Sequence, residues 1–287
     1  MPDFLGIGVQ KSATTWLHYQ LYKHPQIWLP PRKELHYFDR SLEYPSPSFL
    51  AMDRFEDRLN NNEFVKKMQK DLSKKNKSIE EKKWYRLYYQ SDISDSWYDL
   101  LFDMANEKVS GEITPSYSIL KYSDIQKIKK LYPNLKIILI LRNPIKRAWS
   151  QLQFHISRGK LDNNMDIEQI RAFIYSQKQI SRGDYISILN RWCSIFGKSM
   201  FIGFYDEISN SPVEFLDRVF DFLGVEQIAS KLQDTDMVIN STNSENIEIP
   251  SIIYKELVTL YLPQIELLAR YYEYPKIWYK SIADITH

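Results

Sequence analysis

A single cysteine, Cys193, in a chain of 287 residues rules out an intrachain disulfide. It falls in a helical pattern among Leu189, Trp192 and Phe196, the setting of a core thiol rather than a nucleophile. An excess of one charge is also lacking. Lys and Arg number 38 against 36 Asp and Glu, and the resulting +2 is too weak a global field to attract nucleic acid or a membrane surface. Any anion site must therefore be local and carried by motifs. Long apolar runs are missing as well, so no segment reaches the length that spans a bilayer. Met-Pro-Asp enters a strand pattern at once, without a basic leader or an apolar stretch. These absences lead to the expectation of a soluble, reduced, cytoplasmic protein with no nucleic-acid or membrane partner. What is present is a hydrophobic fraction of 44%, enough for a real core and incompatible with general disorder.

Phe4 to Val9 is a short apolar run with glycines, the pattern of a buried strand. Leu17 and Leu21 then stand at helical spacing in Thr14 to Lys23, which His24-Pro25 closes. Further strands are expected at Gln26 to Leu29, Lys108 to Ile113, Lys136 to Leu141 and Met200 to Tyr205. Helical patterns occupy Ser123 to Leu131, Met165 to Gln177, Tyr185 to Phe196 and Pro212 to Leu223, the last with Gly224 as its C-cap. Ser251 to Tyr272 reads as two helices, with Pro263 ending one or starting the other. This alternation predicts an α/β fold, a three-layer sandwich on a mostly parallel sheet. Residues 40–90 break the alternation: Lys, Glu and Asn abound, strand signals are absent, and Trp84, Tyr85, Leu87, Tyr88 and Tyr89 form a dense aromatic patch. The stretch reads as a helical insertion, either a lid over the crevice or a decoration held on by its aromatics.

Gly8-Val9-Gln10-Lys11-Ser12-Ala13-Thr14-Thr15-Trp16 joins the first strand to the first helix. There, backbone N–H groups and the positive helix end converge on an anion. Lys11 adds a mobile cation, and Ser12, Thr14 and Thr15 add hydroxyl donors. The triphosphatase loop pattern does not match, because its glycines would fall at Leu5 and Gln10. Alone, the segment also fits an ordinary strand–turn–helix with a Thr N-cap. A second element shifts the balance. The strand Lys136 to Leu141 runs into Arg142-Asn143-Pro144-Ile145-Lys146-Arg147-Ala148-Trp149-Ser150. Ligands of open α/β sheets bind outside the carboxyl ends of strands, and arginine suits bidentate phosphate recognition. Pro144 can open a helix that presents Ser150. For Arg142 and Arg147 the competing reading is a structural ion pair.

These motifs resemble those of the sulfotransferases that use 3′-phosphoadenosine 5′-phosphosulfate (PAPS). Lys11 to Trp16 is similar to their 5′-phosphosulfate loop, with Ala13 where glycine is usual, and Arg142 to Ser150 is similar to their 3′-phosphate motif. The likeness continues in Gly111-Glu112-Ile113-Thr114-Pro115-Ser116-Tyr117, Phe204-Tyr205-Asp206-Glu207 and Phe222-Leu223-Gly224. It implies one sulfotransferase domain over residues 1–287, with the insertion or lid at 40–90. It also implies PAPS as donor and no metal. Carried over by residue, Lys11 meets the 5′-phosphate and bridging oxygen, and Ser12, Ala13, Thr14 and Thr15 form the rest of that loop. Trp16 stacks near the adenine, Arg142 and Ser150 bind the 3′-phosphate, and Tyr205 lies near the nucleotide.

The base is expected in Pro31-Arg32-Lys33-Glu34-Leu35-His36-Tyr37-Phe38, which resembles the Lys-Glu-x-His-Phe-Phe segment of heparan-type and related bacterial sulfotransferases. Glu34 is the first choice and His36 the second. A histidine is matched to neutral pH, whereas a glutamate needs burial to raise its pKa. Without the resemblance, Glu34 reads as a salt-bridge partner of Arg32 or Lys33. Three departures from the family pattern stand out. Ile113 replaces a lysine of polysaccharide-modifying relatives, Asn240 to Ser244 carries neither the glycine nor the cation of a loop over the 3′-phosphate, and the cysteine pair of secreted relatives is missing. The expected acceptor is a small hydroxyl or amine compound such as a secondary metabolite, with the insertion's aromatics suited to stacking and cation–π contact. A carbohydrate sulfotransferase, a small-molecule kinase and a non-catalytic nucleotide-binding protein are the alternatives, and the assembly is a monomer or homodimer.

Overall fold

The computed structural model describes residues 1–45, 48–235 and 248–286; Asn240 to Ser244 lies outside them. The first strand, β1 (Phe4–Gly8), is buried along its whole length, as expected of a strand covered on both faces. Around it, β2 (Ile27–Trp28), β3 (Val109–Ile113), β4 (Lys136–Leu141) and β5 (Met200–Phe204) form a parallel sheet in the order β2-β3-β1-β4-β5. Leu5 stands opposite Glu112 on one side and Ile137 on the other, so β1 is the strand from which the winding goes both ways. In open α/β sheets ligands bind in a crevice at such a point, here the carboxyl ends of β1, β3 and β4.

Alternate strand residues feed two cores. Phe4, Ile138 and Ile140 pack with Leu17 and Leu21 of α1 (Thr14–Lys23). Leu5, Ile7, Ile137 and Leu139 belong to the opposite core. The insertion supplies that second side with α2 (Phe55–Arg58), α3 (Asn62–Leu72) and α4 (Ile79–Gln90), followed by α5 (Asp95–Leu100). It is joined by α6 (Tyr122–Leu131), α7 (Pro144–Ser157), α8 (Ile167–Ile174) and α10 (Tyr185–Phe196), with α9 (Gln177–Gly183) packed on α7 and α8. After β5 come α11 (Tyr205–Asn210) and α12 (Pro212–Leu223), the latter on the α1 side. Gly224 ends α12 at φ 81, where its N–H reaches the carbonyls of Phe220 and Asp221 at 2.9 and 3.0 Å.

Two helical expectations need correction, and one helix was missed. Ser251 to Tyr272 is not two helices: α13 (Ser251–Ala269) runs through Pro263 unbroken. Leu257, Tyr261, Ile265 and Leu268 are buried on both sides of the proline, and that shared face outweighs the missing N–H. The expected Met165 to Gln177 helix divides, because α8 stops at Ile174 and α9 begins at Gln177. A last helix, α14 (Glu273–Thr286), was not anticipated; Trp278 ties it down by donating to Asp206 Oδ2 at 3.1 Å.

The insertion's aromatics are core residues: Trp84 is 1% exposed and Tyr89 is fully buried. Their polar ends find partners, as burial requires. Trp84 donates to the Leu101 carbonyl at 2.8 Å, Tyr85 to the Pro31 carbonyl at 2.9 Å, and Tyr89 to Asp71 at 2.7 Å. Arg32 donates to both Tyr89 and Asp71. The insertion thus braces the segment from Pro31 to Tyr37, and its ring faces are not open for an acceptor to stack on.

Candidate active site

Gly8 sits at φ 127, and a Cβ there would lie 2.5 Å from the Pro115 carbonyl oxygen, so only glycine lets the loop leave β1 against that turn. Lys11 and Ala13 follow in left-handed conformations, at φ 69 and 57. Turns of this kind direct successive N–H groups into one concavity, here at the start of α1. Ser12 between them is fully buried, and its Oγ has no hydrogen-bond partner. A buried hydroxyl without a partner costs about 1–3 kcal/mol, which an anion in the loop would recover. Ala13 bears a left-handed strain of about 1–2 kcal/mol that glycine escapes. Ala13→Gly is therefore expected to raise Tm by about 2–4 °C, less whatever the unfolded chain gains in freedom. A fall in Tm on calorimetry would show that Ala13 is unstrained.

The second phosphate element meets the first. Arg142, at the end of β4, donates to the Lys11 carbonyl at 2.9 Å, and its guanidinium lies 4.2 Å from the Tyr205 ring centre. Its own carbonyl accepts from Tyr185 at 2.7 Å. Asn143 caps α7 by accepting from Ile145 and Lys146, and Ser150 is half-buried further along that helix. The Lys11 ammonium lies 4.3 Å from the ring centre of Phe154, also on α7. Thr14 is buried and Thr15 half-buried. Trp16 is 3% exposed, packs on Phe215 and donates to the Thr235 carbonyl at 2.9 Å. Its indole is therefore a core ring in this structure, not an open platform for a base.

Glu34 is linked to the loop through Lys33, and His36 lies beside Glu34. Lys33 donates to Thr15 Oγ1 at 3.1 Å and to Glu34 at 3.3 Å, so it links the phosphate loop to the carboxylate. His36 Nδ1 lies 2.9 Å from Asp39 Oδ2, and its Nε2 lies 3.7 Å from Glu34 Oε2. Burial works against both charges but loses. Hydrogen bonding to Asp39 and Glu34 pushes His36 up to about 9, while His36 and Lys33 pull Glu34 down to about 2. The salt bridge with Lys33 that the sequence also allowed is present, and with His36 it outweighs the burial that would raise Glu34. At neutral pH Glu34 is a carboxylate and His36 an imidazolium, so His36 has no lone pair with which to take a proton.

Several groups escaped the sequence reading. Asp39 was legible only as an acid three residues after His36. His18, one turn into α1, has a buried Nε2 without a partner and is lowered to about 4 by burial and then by Lys33. Glu112 lay in a quoted motif but was given no role. Its carboxylate is 1% exposed and accepts from Tyr98 at 2.6 Å, Thr114 at 2.7 Å, Tyr117 at 2.8 Å and the Leu35 N–H at 3.1 Å. Tyr117 also accepts from the Tyr37 N–H at 2.9 Å. One buried carboxylate and its tyrosine hold the backbone on either side of His36. Glu34 and His36 themselves stand at φ 63 and 57, a conformation that needs such outside support. Glu112→Gln puts an amide among these donors and should cost about 2–4 kcal/mol in urea unfolding. Unchanged stability would show that the carboxylate does not clamp this segment.

A doubly wound parallel sheet with two basic turns on neighbouring strand ends defines a protein of the α/β class. The chain belongs to the sulfotransferase family, whose profile matches residues 2–229. It is 29% identical over 168 residues to the membrane-associated sulfotransferase kil1 of Dictyostelium discoideum, covering 58% of this chain and 26% of that protein. It is 23% identical over 270 residues to human carbohydrate sulfotransferase 15, covering 80% of this chain and 45% of that one. The chain thus spans less than half the length of these curated relatives. Among solved structures, a sulfotransferase from Alicyclobacillus acidocaldarius superposes with a TM-score of 0.63 at 22% identity, covering 97% of this chain and 98% of that one. Mouse sulfotransferase SULT7A1 complexed with PAP (3′-phosphoadenosine 5′-phosphate) gives 0.53 at 14% identity, covering 98% and 89%. Among the described residues, no helix is long and apolar enough to cross a membrane.

Proposed function

We propose that this protein transfers a sulfonate group from PAPS to a hydroxyl or amine of a small acceptor, with Glu34 receiving the acceptor's proton. The observation that carries this reading is the contact chain Thr15–Lys33–Glu34–His36–Asp39, which joins the phosphate loop to a carboxylate. The loop's chemistry fits the donor: an orphaned Ser12 hydroxyl, a helix N-terminus and two cations, Lys11 and Arg142, converge there. A neighbour of the same fold complexed with PAP is consistent with that choice. When bound, the donor supplies an electrophilic sulfonyl group on a phosphate leaving group.

Lys11 is assigned to the charge that develops on the departing phosphate, together with the N–H groups of residues 11–15. Arg142 and Ser150 are assigned to the 3′-phosphate, with Tyr205 beneath the guanidinium. Lys33, reaching both Thr15 and Glu34, orients the carboxylate toward the sulfonyl position. As the acceptor's oxygen or nitrogen bonds to sulfur, its proton passes to Glu34, while His36 and Asp39 hold that side chain in place. A carbohydrate acceptor is the second reading, favoured by the carbohydrate-modifying relatives. Ile113 does not oppose it: the residue is fully buried on the α1 side of the sheet and does not face the crevice.

Calorimetry with PAP and, separately, with ATP and Mg²⁺ tests the donor. Tight binding of PAP and weak binding of ATP is the expected result, and the reverse would favour a kinase.

A further inference from the structure

Glu34 and His36 stand in left-handed backbone, at φ 63 and 57, so the peptides around them must be held from outside. Two N–H groups do this, one on each side of His36. The Leu35 N–H donates to Glu112 Oε2 at 3.1 Å, and the Tyr37 N–H donates to the Tyr117 hydroxyl oxygen at 2.9 Å. The first contact ends directly at the carboxylate. The second ends at a hydroxyl that gives its single proton to the same carboxylate, on Glu112 Oε1 at 2.8 Å. Tyr117 is thus the link between Glu112 and the peptide that joins His36 to Tyr37.

The local sequence explains how it gets there. Pro115 opens a short 3₁₀ turn after β3, Pro115–Ile119, in which the Tyr117 N–H donates to the Thr114 carbonyl at 3.0 Å. The turn brings Tyr117 back to Glu112, fully buried and with its ring edge-on to Phe38 at 5.4 Å. The same turn stands against the root of the phosphate loop, since it is the Pro115 carbonyl oxygen that a Cβ at Gly8 would meet. One turn therefore touches both the loop and the base segment. Burial and the charge of Glu112 raise the Tyr117 hydroxyl well above its ordinary value, so it keeps its proton while His36 titrates.

We propose that Tyr117 is a positioning residue for the base: through the Tyr37 N–H it holds the His36 imidazole between Glu34 and Asp39, and so keeps the Glu34 carboxylate oriented. This rests on the sulfotransferase reading with Glu34 as base, and adds to it a residue that acts through His36. The ring nitrogens lie 2.9 Å from Asp39 Oδ2 and 3.7 Å from Glu34 Oε2, and a peptide released at Tyr37 lets the ring swing away from both. Asp39 and Glu34 are the groups that act on His36; Tyr117 and Arg182 act in turn on Asp39, and Lys33 on Glu34. Tyr98 of α5 is the natural comparison. It also donates to Glu112 Oε1, at 2.6 Å, and its ring stacks on Tyr37 at 4.4 Å, but among the described residues its hydroxyl takes no N–H from the base segment.

The test compares Tyr117→Phe with Tyr98→Phe. Each keeps its ring and removes one donor from the same carboxylate oxygen, so the two should lose similar stability in urea. The readout is the titration of His36 by NMR on protein with labelled histidine rings, assigned by the signal that His36→Ala lacks. In the wild type and in Tyr98→Phe, His36 should titrate at about 9. In Tyr117→Phe its pKa should fall by at least about one unit, a tenfold loss of proton affinity. The His24 signal, from a ring 2.8 Å from the Glu226 carbonyl oxygen, reports that the fold is kept. An unchanged His36 in Tyr117→Phe, or an equal fall in both variants, would overturn the proposal. Should Tyr117→Phe not fold, the wild type decides: its Tyr37 amide should exchange with solvent as slowly as that of Leu35, and rapid exchange overturns the role. PAP affinity by calorimetry should stay within about twofold of wild type in both variants. A large loss in Tyr117→Phe alone would assign the tyrosine to the phosphate loop instead. Failure of the wild type to bind PAP would overturn the donor reading and leave the His36 titrations to decide the role of Tyr117.

Discussion

Lys11→Ala is expected to lower kcat by about 10²–10³-fold, the loss typical of removing one preorganised group that meets charge developing in a transition state. The binding of PAP should weaken far less. The difference follows from where Lys11 stands. Its backbone is in the left-handed region at the tip of the loop, its carbonyl is held by Arg142, and its ammonium lies 4.3 Å from the Phe154 ring centre. The proposed reading gives that side chain to the departing phosphate, while ground-state phosphate binding would be shared with the N-terminus of α1 and several hydroxyls. Lys11→Arg should not restore turnover, because a planar guanidinium cannot replace a point charge on a constrained backbone. The measurement is kcat at saturating donor together with the PAP Kd. An unchanged kcat in Lys11→Ala would remove the assigned role.

How much of this was legible depended on how local the cause was. β4 reads from Lys136 to Leu141 because a buried parallel strand needs an unbroken β-branched and leucine run, and α12 reads to Gly224 because its cap is a matter of one φ angle. The turns after β1 and β4 were legible for the same reason, each being a strand end that runs into a helix. Pro263 misled because its local penalty is set against a buried face that only the fold supplies. Trp16 looked available to a base, but its partners Phe215 and Thr235 lie some two hundred residues away in the chain. The titration of Glu34 was not legible in full. Burial alone predicts a raised carboxyl, and its reversal requires knowing that the side chains of Lys33 and His36 turn toward it. The spacing offered Lys33 as a salt-bridge partner but not His36, because Glu34 and His36 reach that geometry through left-handed backbone held from outside by Glu112.

The second large effect concerns the base. Glu34→Gln keeps the shape of the side chain and removes its ability to take a proton, so kcat should fall by about 10²–10⁴-fold with little change in PAP affinity. If Glu34→Gln keeps full turnover, another group is the base. His36→Ala should fall less, and it should change the pH profile in a way that a purely structural loss would not. In the wild type His36 is raised from 6.5 to about 9, so its stabilising charge is fully present below 6.5 and is lost as pH rises through about 9. Glu34 is lowered from 4.5 to about 2, so its contribution is present above 4.5 and is lost as pH falls through about 2. Wild-type turnover should therefore hold through neutral pH and decline on the alkaline side near 9 as the imidazolium that orients Glu34 discharges. In His36→Ala that alkaline decline should disappear, and the acid limb should move up, because Lys33 alone holds the Glu34 carboxyl down less strongly. The two shifts have opposite origins and come from one substitution. A His36→Ala profile that keeps the wild-type alkaline limb would show that the limb belongs to another group, with Lys33 the first to examine because burial already lowers it from 10.5.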